Sequence, residues 1–168
     1  MFNSGVLTIS DKGWQGQRYD ASGEIIRNSL SQLKSHVVAY EVVPDEADVI
    51  ARKLAEWADG GNVDVLLTTG GTGLGQRDVT PEATLSISDK VVPGIAEAMR
   101  ASTSGITPFA MLSRAIACIR GKCLIINLPG SPKAVQECLQ VILPAIPHAV
   151  EIIKGEITEH EPLGTGRE

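Results

Sequence analysis

Aromatic side chains are scarce in this chain: Trp, Tyr and Phe occur twice each and make up 4% of 168 residues. So few exclude the stacking ladder on which single-stranded nucleic acid is held. No Lys or Arg block compensates, and a net charge of -5 gives no basis for gripping a polyanion along a groove. Cysteine is equally thin: Cys118, Cys123 and Cys138 form neither a CxxC pair nor a secreted framework, and read as small core residues. His36, His148 and His160 are scattered without metal-ligand spacing, which argues against a zinc centre or a hydrolase triad. No apolar run approaches membrane-spanning length, and no basic segment leads into one. The expectation is a reduced, soluble, cytoplasmic protein with no nucleic-acid or membrane partner.

Against these absences, one stretch is rich. Thr68-Thr69-Gly70-Gly71-Thr72-Gly73-Leu74-Gly75-Gln76-Arg77-Asp78-Val79-Thr80-Pro81-Glu82 follows the apolar run from Val63 to Leu67. Its glycines let the backbone turn tightly and bring amide N–H groups close to an anion. Thr80-Pro81-Glu82 is a helix start. It is not a Walker A loop, because no Gly-Lys-Ser/Thr ending supplies the phosphate lysine. It is not a dinucleotide fingerprint either: the third glycine position is missed, and the loop follows the third strand rather than the first.

Around it the chain alternates. Residues 5–10, 36–43 and 63–69 read as short buried strands, with helices over 21–33 and after Asp45-Glu46. Lys12 to Asp20 reads as a mobile loop. Residues 81–88 and 94–102 read as helices, and 113–119 with 123–128 as strands joined at Arg120-Gly121-Lys122. A final helix carries Val135, Leu139, Ile142, Leu143, Ile146 and Val150, bent or divided by Pro144 and Pro147. The fold class is α/β, with a mostly parallel sheet, one antiparallel strand at its edge and helices on both faces. Residues 1–154 form one domain, and 155–168 an exposed C-terminal tail.

Ligands of open α/β sheets bind beyond the carboxyl ends of parallel strands. That places Ser10-Asp11, Asp45 and the glycine loop on one edge, joined by Pro129-Gly130-Ser131-Pro132 if 123–128 runs parallel. Asp45 suits either a helix cap or a metal ligand, and Asp78 either a salt bridge or a metal ligand. Beside a phosphate-shaped loop the two together fit Mg2+, which takes one or two carboxylates and borrows substrate oxygens. Arg77 and Arg114 are candidate phosphate cations, Lys12 a weaker one. Residues 106–114 suit a segment passing under a cleft and presenting Thr107 and Ser113, with Phe109 and Met111 as packing residues in preference to ligand-stacking ones. Trp14 and Tyr19 are placed to cover a flat heterocycle or to do nothing specific.

Six motifs in order resemble the molybdopterin adenylyltransferases of molybdenum cofactor biosynthesis and the matching domains of plant and animal molybdenum-insertion proteins. They are Ile9-Ser10-Asp11, Val43-Pro44-Asp45-Glu46, Thr69 to Gly73, Arg77 to Thr84, Thr107 to Arg114 and Asn127 to Pro132. The resemblance runs from the first strand to about Lys154. It implies a three-layer α/β/α, Rossmann-like fold, assembled as a homotrimer. It implies Mg2+-dependent transfer of AMP from ATP to the terminal phosphate of molybdopterin, releasing diphosphate. Pathway neighbours would be a molybdopterin synthase and a molybdate-insertion enzyme. By the same resemblance Asp45 and Asp78 are the essential acids and metal ligands. Gly70, Gly71, Thr72 and Gly73 would hold nucleotide phosphates, and Thr107, Ser113, Arg114, Gly130 and Ser131 would surround the pterin. Ser10 and Asp11 join the site as further contacts. The Arg77-Asp78-Val79-Thr80-Pro81 sequence is whole, which favours an active enzyme over a related branch that has lost it.

Overall fold

The computed structural model describes residues 1–156. Six strands form one sheet: β1 (Phe2–Ile9), β2 (Ser35–Val43), β3 (Val65–Thr69), β4 (Lys90–Val91), β5 (Ala117–Arg120) and β6 (Cys123–Leu128). Their order is β2-β1-β3-β6-β5-β4. β2, β1, β3 and β6 run parallel, and β5 is antiparallel to both its neighbours. The expected single antiparallel strand is therefore present, but it does not lie at the edge. That place belongs to β4, two exposed residues too short to leave any periodic trace in the sequence.

The helices are α1 (Asp11–Trp14), α2 (Ala21–Gln32), α3 (Ala47–Asp59), α4 (Thr80–Ser86), α5 (Pro93–Ser104), α6 (Pro132–Ile142) and α7 (Ile146–Lys154). Alternate strand residues feed two cores. Val6, Val65, Leu67, Leu124 and Ile126 pack with α2, α5, α6 and α7. Leu7, Ile9, Leu66 and Ile125 pack on the other face with α3 and α4. Parallel strands buried on both faces are near-continuous apolar runs, as β3 and β6 are here. All three cysteines are buried and free, and burial pushes the Cys123 thiol up to about 12.

One local expectation holds and two change. The final helix is divided, with Pro147 in the first turn of α7, where a missing N–H costs nothing. The Lys12–Asp20 loop is tied at both ends. Its start is held by the α1 turn and by the Gln17 amide donating to the Lys12 carbonyl at 2.8 Å; its end is held by Asp20, which caps α2. Residues 113–116 are not strand. A 3-10 turn over Pro108–Leu112 precedes them, and the Arg100 guanidinium donates to the Ser113 and Ala115 carbonyls at 3.2 and 3.0 Å. Of the tail expected at 155–168, everything beyond Glu156 lies outside the described residues.

Candidate active site

The chain leaves β1 for β2 on one side and returns to β3 on the other, so β1 and β3 flank a topological switch point. Such points are where open α/β sheets bind ligands. A cleft of about 470 Å³ opens there. Its floor is the ends of β1 and β3 with Gly70 and Gly71; Ser10, Asp45, Gly130 and Ser131 are on its walls.

Backbone geometry explains the glycines. Gly70 has φ +100, and a Cβ there would stand 2.2 Å from the Ile9 carbonyl oxygen. Gly71 has φ +67, and its Cβ would stand 2.3 Å from Thr80 Oγ1. No L side chain fits either place, and the chain turns against β1 only because none is present. The turn is fastened from several sides. Thr80 Oγ1 donates to the Gly70 carbonyl at 2.9 Å, and the Thr80 amide to the Gly71 carbonyl at 3.1 Å. Thr69 Oγ1 donates to Pro129 at 2.7 Å, and Ser22 Oγ to Gly130 at 2.9 Å, which binds the β6 loop to the glycine loop and to α2. Below them the fully buried Asn127 amide donates to Thr68 and Thr84 hydroxyls at 3.0 and 2.9 Å.

The acids are organised as a pair across β1 and β2. The Asp11 amide donates to Asp45 Oδ2 at 2.8 Å, and the Asp45 amide to Asp11 Oδ1 at 3.0 Å. The Arg77 guanidinium closes on Asp11 through Nε at 2.6 Å and Nη2 at 2.8 Å. Hydrogen bonding to Arg77 holds the Asp11 carboxyl below the usual range. Asp45 goes the other way. Burial raises it, and the charges of Asp11 and Asp78 add to the rise, against the Asp11 amide and Arg77.

Asp78 is wrapped by its own loop: Oδ2 accepts from the Gly75 amide at 2.7 Å, and a Cβ at Gly73 would stand 2.9 Å from the same oxygen. It does not line the main cleft, although its charge is felt at Asp45. Among the described residues, Asp45 Oδ1 and Asp78 Oδ1 accept no hydrogen bond. No three His, Cys, Asp or Glu side chains among them gather closely enough to cage a metal. Two half-free carboxylates whose charges oppose each other fit an Mg2+ that completes its shell with water and phosphate oxygens.

Arg114 lies beneath the glycine loop. Nε donates to the Gly73 carbonyl at 2.7 Å, Nη2 to the Asp78 carbonyl and Nη1 to Glu82, while its amide donates to Thr72 at 2.9 Å. The pairing with Arg114 lowers the Glu82 carboxyl. Thr107 and Ser113 line a second, more apolar cleft of about 260 Å³ between α5 and α6. Ser131 borders both clefts. Ser10, Thr107 and Ser131 each accept a backbone amide as helix caps, of Gly13, Phe109 and Ala134 respectively. Each hydroxyl keeps its proton to donate.

The expected packing residues Phe109 and Met111 are instead 73% and 69% exposed. They stand on a 3-10 turn with no buried residue, and Phe109 lines the second cleft. Sequence reasoning missed Arg18, Asp20 and Ser22 on the cleft wall, although an Asp ahead of Ala21-Ser22-Gly23 is an N-cap signal.

The family model described as a probable molybdopterin binding domain matches residues 5–148. The chain is 46% identical over 153 residues to the molybdopterin adenylyltransferase of Helicobacter pylori strain J99, covering 90% of this chain and 87% of that protein. It is 34% identical over 172 residues to the Escherichia coli K12 molybdopterin adenylyltransferase, covering 94% and 88%. The crystal structure of the molybdopterin biosynthesis enzyme MoaB from Thermus thermophilus superposes with TM-score 0.87 at 50% identity, covering 92% of this chain and 98% of that one. The chain belongs to the molybdopterin-binding-domain family, among relatives that are molybdopterin adenylyltransferases.

Proposed function

We propose that the protein transfers AMP from ATP to the terminal phosphate of molybdopterin and releases diphosphate. The observation that carries this reading is the pairing of a side-chain-free amide turn, Gly70-Gly71, with the Asp45 carboxylate on one switch-point cleft. In the reaction a terminal phosphate oxygen of the pterin bonds to the α-phosphorus, and the bond from that phosphorus to the bridging oxygen breaks. Diphosphate leaves with that electron pair. Both glycines line the cleft; the Gly70 amide is spent on the Leu128 carbonyl at 3.3 Å, and the Gly71 amide, which no described acceptor takes, would act as a fixed donor to a phosphate oxygen. Ser131, shared by both clefts, suits the junction where nucleotide and pterin phosphates meet. Thr107 and Ser113 present hydroxyls in an otherwise apolar slot, a lining suited to a flat heterocycle.

Asp45 and Asp78 would hold Mg2+, which when bound neutralises charge on the reacting phosphates. Arg114 and Arg77 act by fixing these acids rather than by meeting substrate: Arg114 holds the Asp78 carbonyl, and Arg77 holds the Asp11 carboxylate that brackets Asp45. The reading extends to a homotrimer acting between a molybdopterin synthase and a molybdate-insertion enzyme. Light scattering on the purified protein checks the assembly, with three times the chain mass as the expected result.

The reaction is tested by incubating the protein with molybdopterin, ATP and Mg2+ and separating the products. Adenylyl-molybdopterin and diphosphate in equal amounts are expected. Inorganic phosphate, or diphosphate released without pterin, would refute the assignment.

A further inference from the structure

Transfer to a phosphate acceptor assembles several negative charges in one cleft, more than backbone amides and one divalent cation shared with two carboxylates offset. The arginines of the glycine-loop and Thr107–Arg114 motifs do not supply it. Arg77 spends Nε and Nη2 on Asp11, and Arg114 spends Nε and both terminal nitrogens on Gly73, Asp78 and Glu82. Lys12 does not line the cleft. The cleft wall carries one cationic side chain, Arg18, and among the described residues its guanidinium has neither an ion pair nor a hydrogen bond.

Its backbone is placed rather than loose. Two residues on, Asp20 takes Thr8 Oγ1 at 2.6 Å, Tyr40 Oη at 2.8 Å and the Gly23 amide at 2.9 Å. One residue before, the Gln17 amide is bonded to Lys12. Asp20 thus takes three donors from elsewhere and makes no contact with the Arg18 guanidinium, although the two are close in sequence.

We propose that Arg18 is the phosphate-binding cation of the cleft, its planar fork closing on phosphate oxygens opposite Gly70 and Gly71. A guanidinium holds phosphate through paired N–H donors, so it adds orientation as well as charge. The role deepens the adenylyl-transfer reading and rests on it for the identity of the phosphates, which belong either to the nucleotide or to the pterin.

The test uses the full chain with Arg18→Gln and Arg18→Lys, both at an exposed position without partners among the described residues, so the melting temperature should stay unchanged. Calorimetric titration with inorganic diphosphate and Mg2+ should show binding weakened about tenfold or more in Arg18→Gln and partly restored in Arg18→Lys. Steady-state kinetics assign the source: a raised KM for ATP alone places Arg18 on the nucleotide, and a raised KM for molybdopterin alone places it on the pterin phosphate. Diphosphate binding equal in wild type and Arg18→Gln, or absent from both, overturns the proposal. Arg18-dependent diphosphate binding without adenylyl-pterin product would sink the reaction while leaving Arg18 in place. Normal turnover with an indifferent Arg18→Gln would sink Arg18 alone.

Discussion

Asp45 is a carboxylate whose surroundings disfavour its charge, half-buried beside Asp11 and subject to the charge of Asp78. A carboxylate that must ionise to hold a cation, yet is raised above the ordinary aspartate value, sets an acidic limb above that value in the rate profile. Arg77 counteracts the rise, because its positive charge favours ionised Asp45. Arg77→Gln removes that charge, so the Asp45 pKa should rise further and the acidic limb of kcat/KM should move to higher pH. A limb that stays put, or moves to lower pH, contradicts this coupling. Arg114→Ala should lower kcat by about a hundredfold with a smaller change in either KM, as expected when a group acts by placing Asp78 rather than by binding substrate. Arg114→Lys cannot reproduce three donations from one planar fork and should recover only part of the loss. Initial-rate kinetics of both variants decide the matter.

The glycine loop with the start of α4 is the element on which the site depends. Gly70→Ala would require a methyl group where the Ile9 carbonyl already stands, at a φ that L residues avoid, and should cost about 2–4 kcal/mol of stability. The fully buried Asn127 joins Thr68 on β3 to Thr84 on α4; Asn127→Leu leaves both hydroxyls without that donor and should cost about 2–4 kcal/mol. Urea unfolding of each variant measures the loss, and a change under 0.5 kcal/mol would show that these ties are dispensable.

At this scale the sequence was readable where a pattern was long. β3 and its glycine exit and the helical faces of α2 and α3 follow from apolar runs and punctuation; the direction of β6, open in the sequence, is set by its parallel pairing with β3. β4 escaped because two exposed residues carry no period, and residues 113–116 imitated a strand whose carbonyls Arg100 takes instead. The commitments of Arg77 and Arg114 were equally hidden. Nothing in their spacing shows that partners 66 and 32 residues away, Asp11 and Glu82, would occupy them.

The whole molecule brings four strand ends to one edge, and this is what makes five of the six separated motifs line two adjoining clefts, with Arg77 to Thr84 bracing them from outside. Neither cleft is formed by one motif alone, and Ser131 borders both because β6 lies next to β3. No helix among the described residues is long and apolar enough to cross a membrane. The proposed reading uses this arrangement: phosphates at the switch point beside Asp45, with the second cleft adjoining.

The most direct test compares wild type with Asp78→Asn in the presence of molybdopterin, ATP and Mg2+. Asp78 Oδ2 accepts the Gly75 amide, and an asparagine oxygen can take that place, so the variant should fold normally by circular dichroism and melting. Its yield of adenylyl-molybdopterin should fall by about a hundredfold or more. A folded Asp78→Asn protein that makes the product at a near-normal rate would contradict the account.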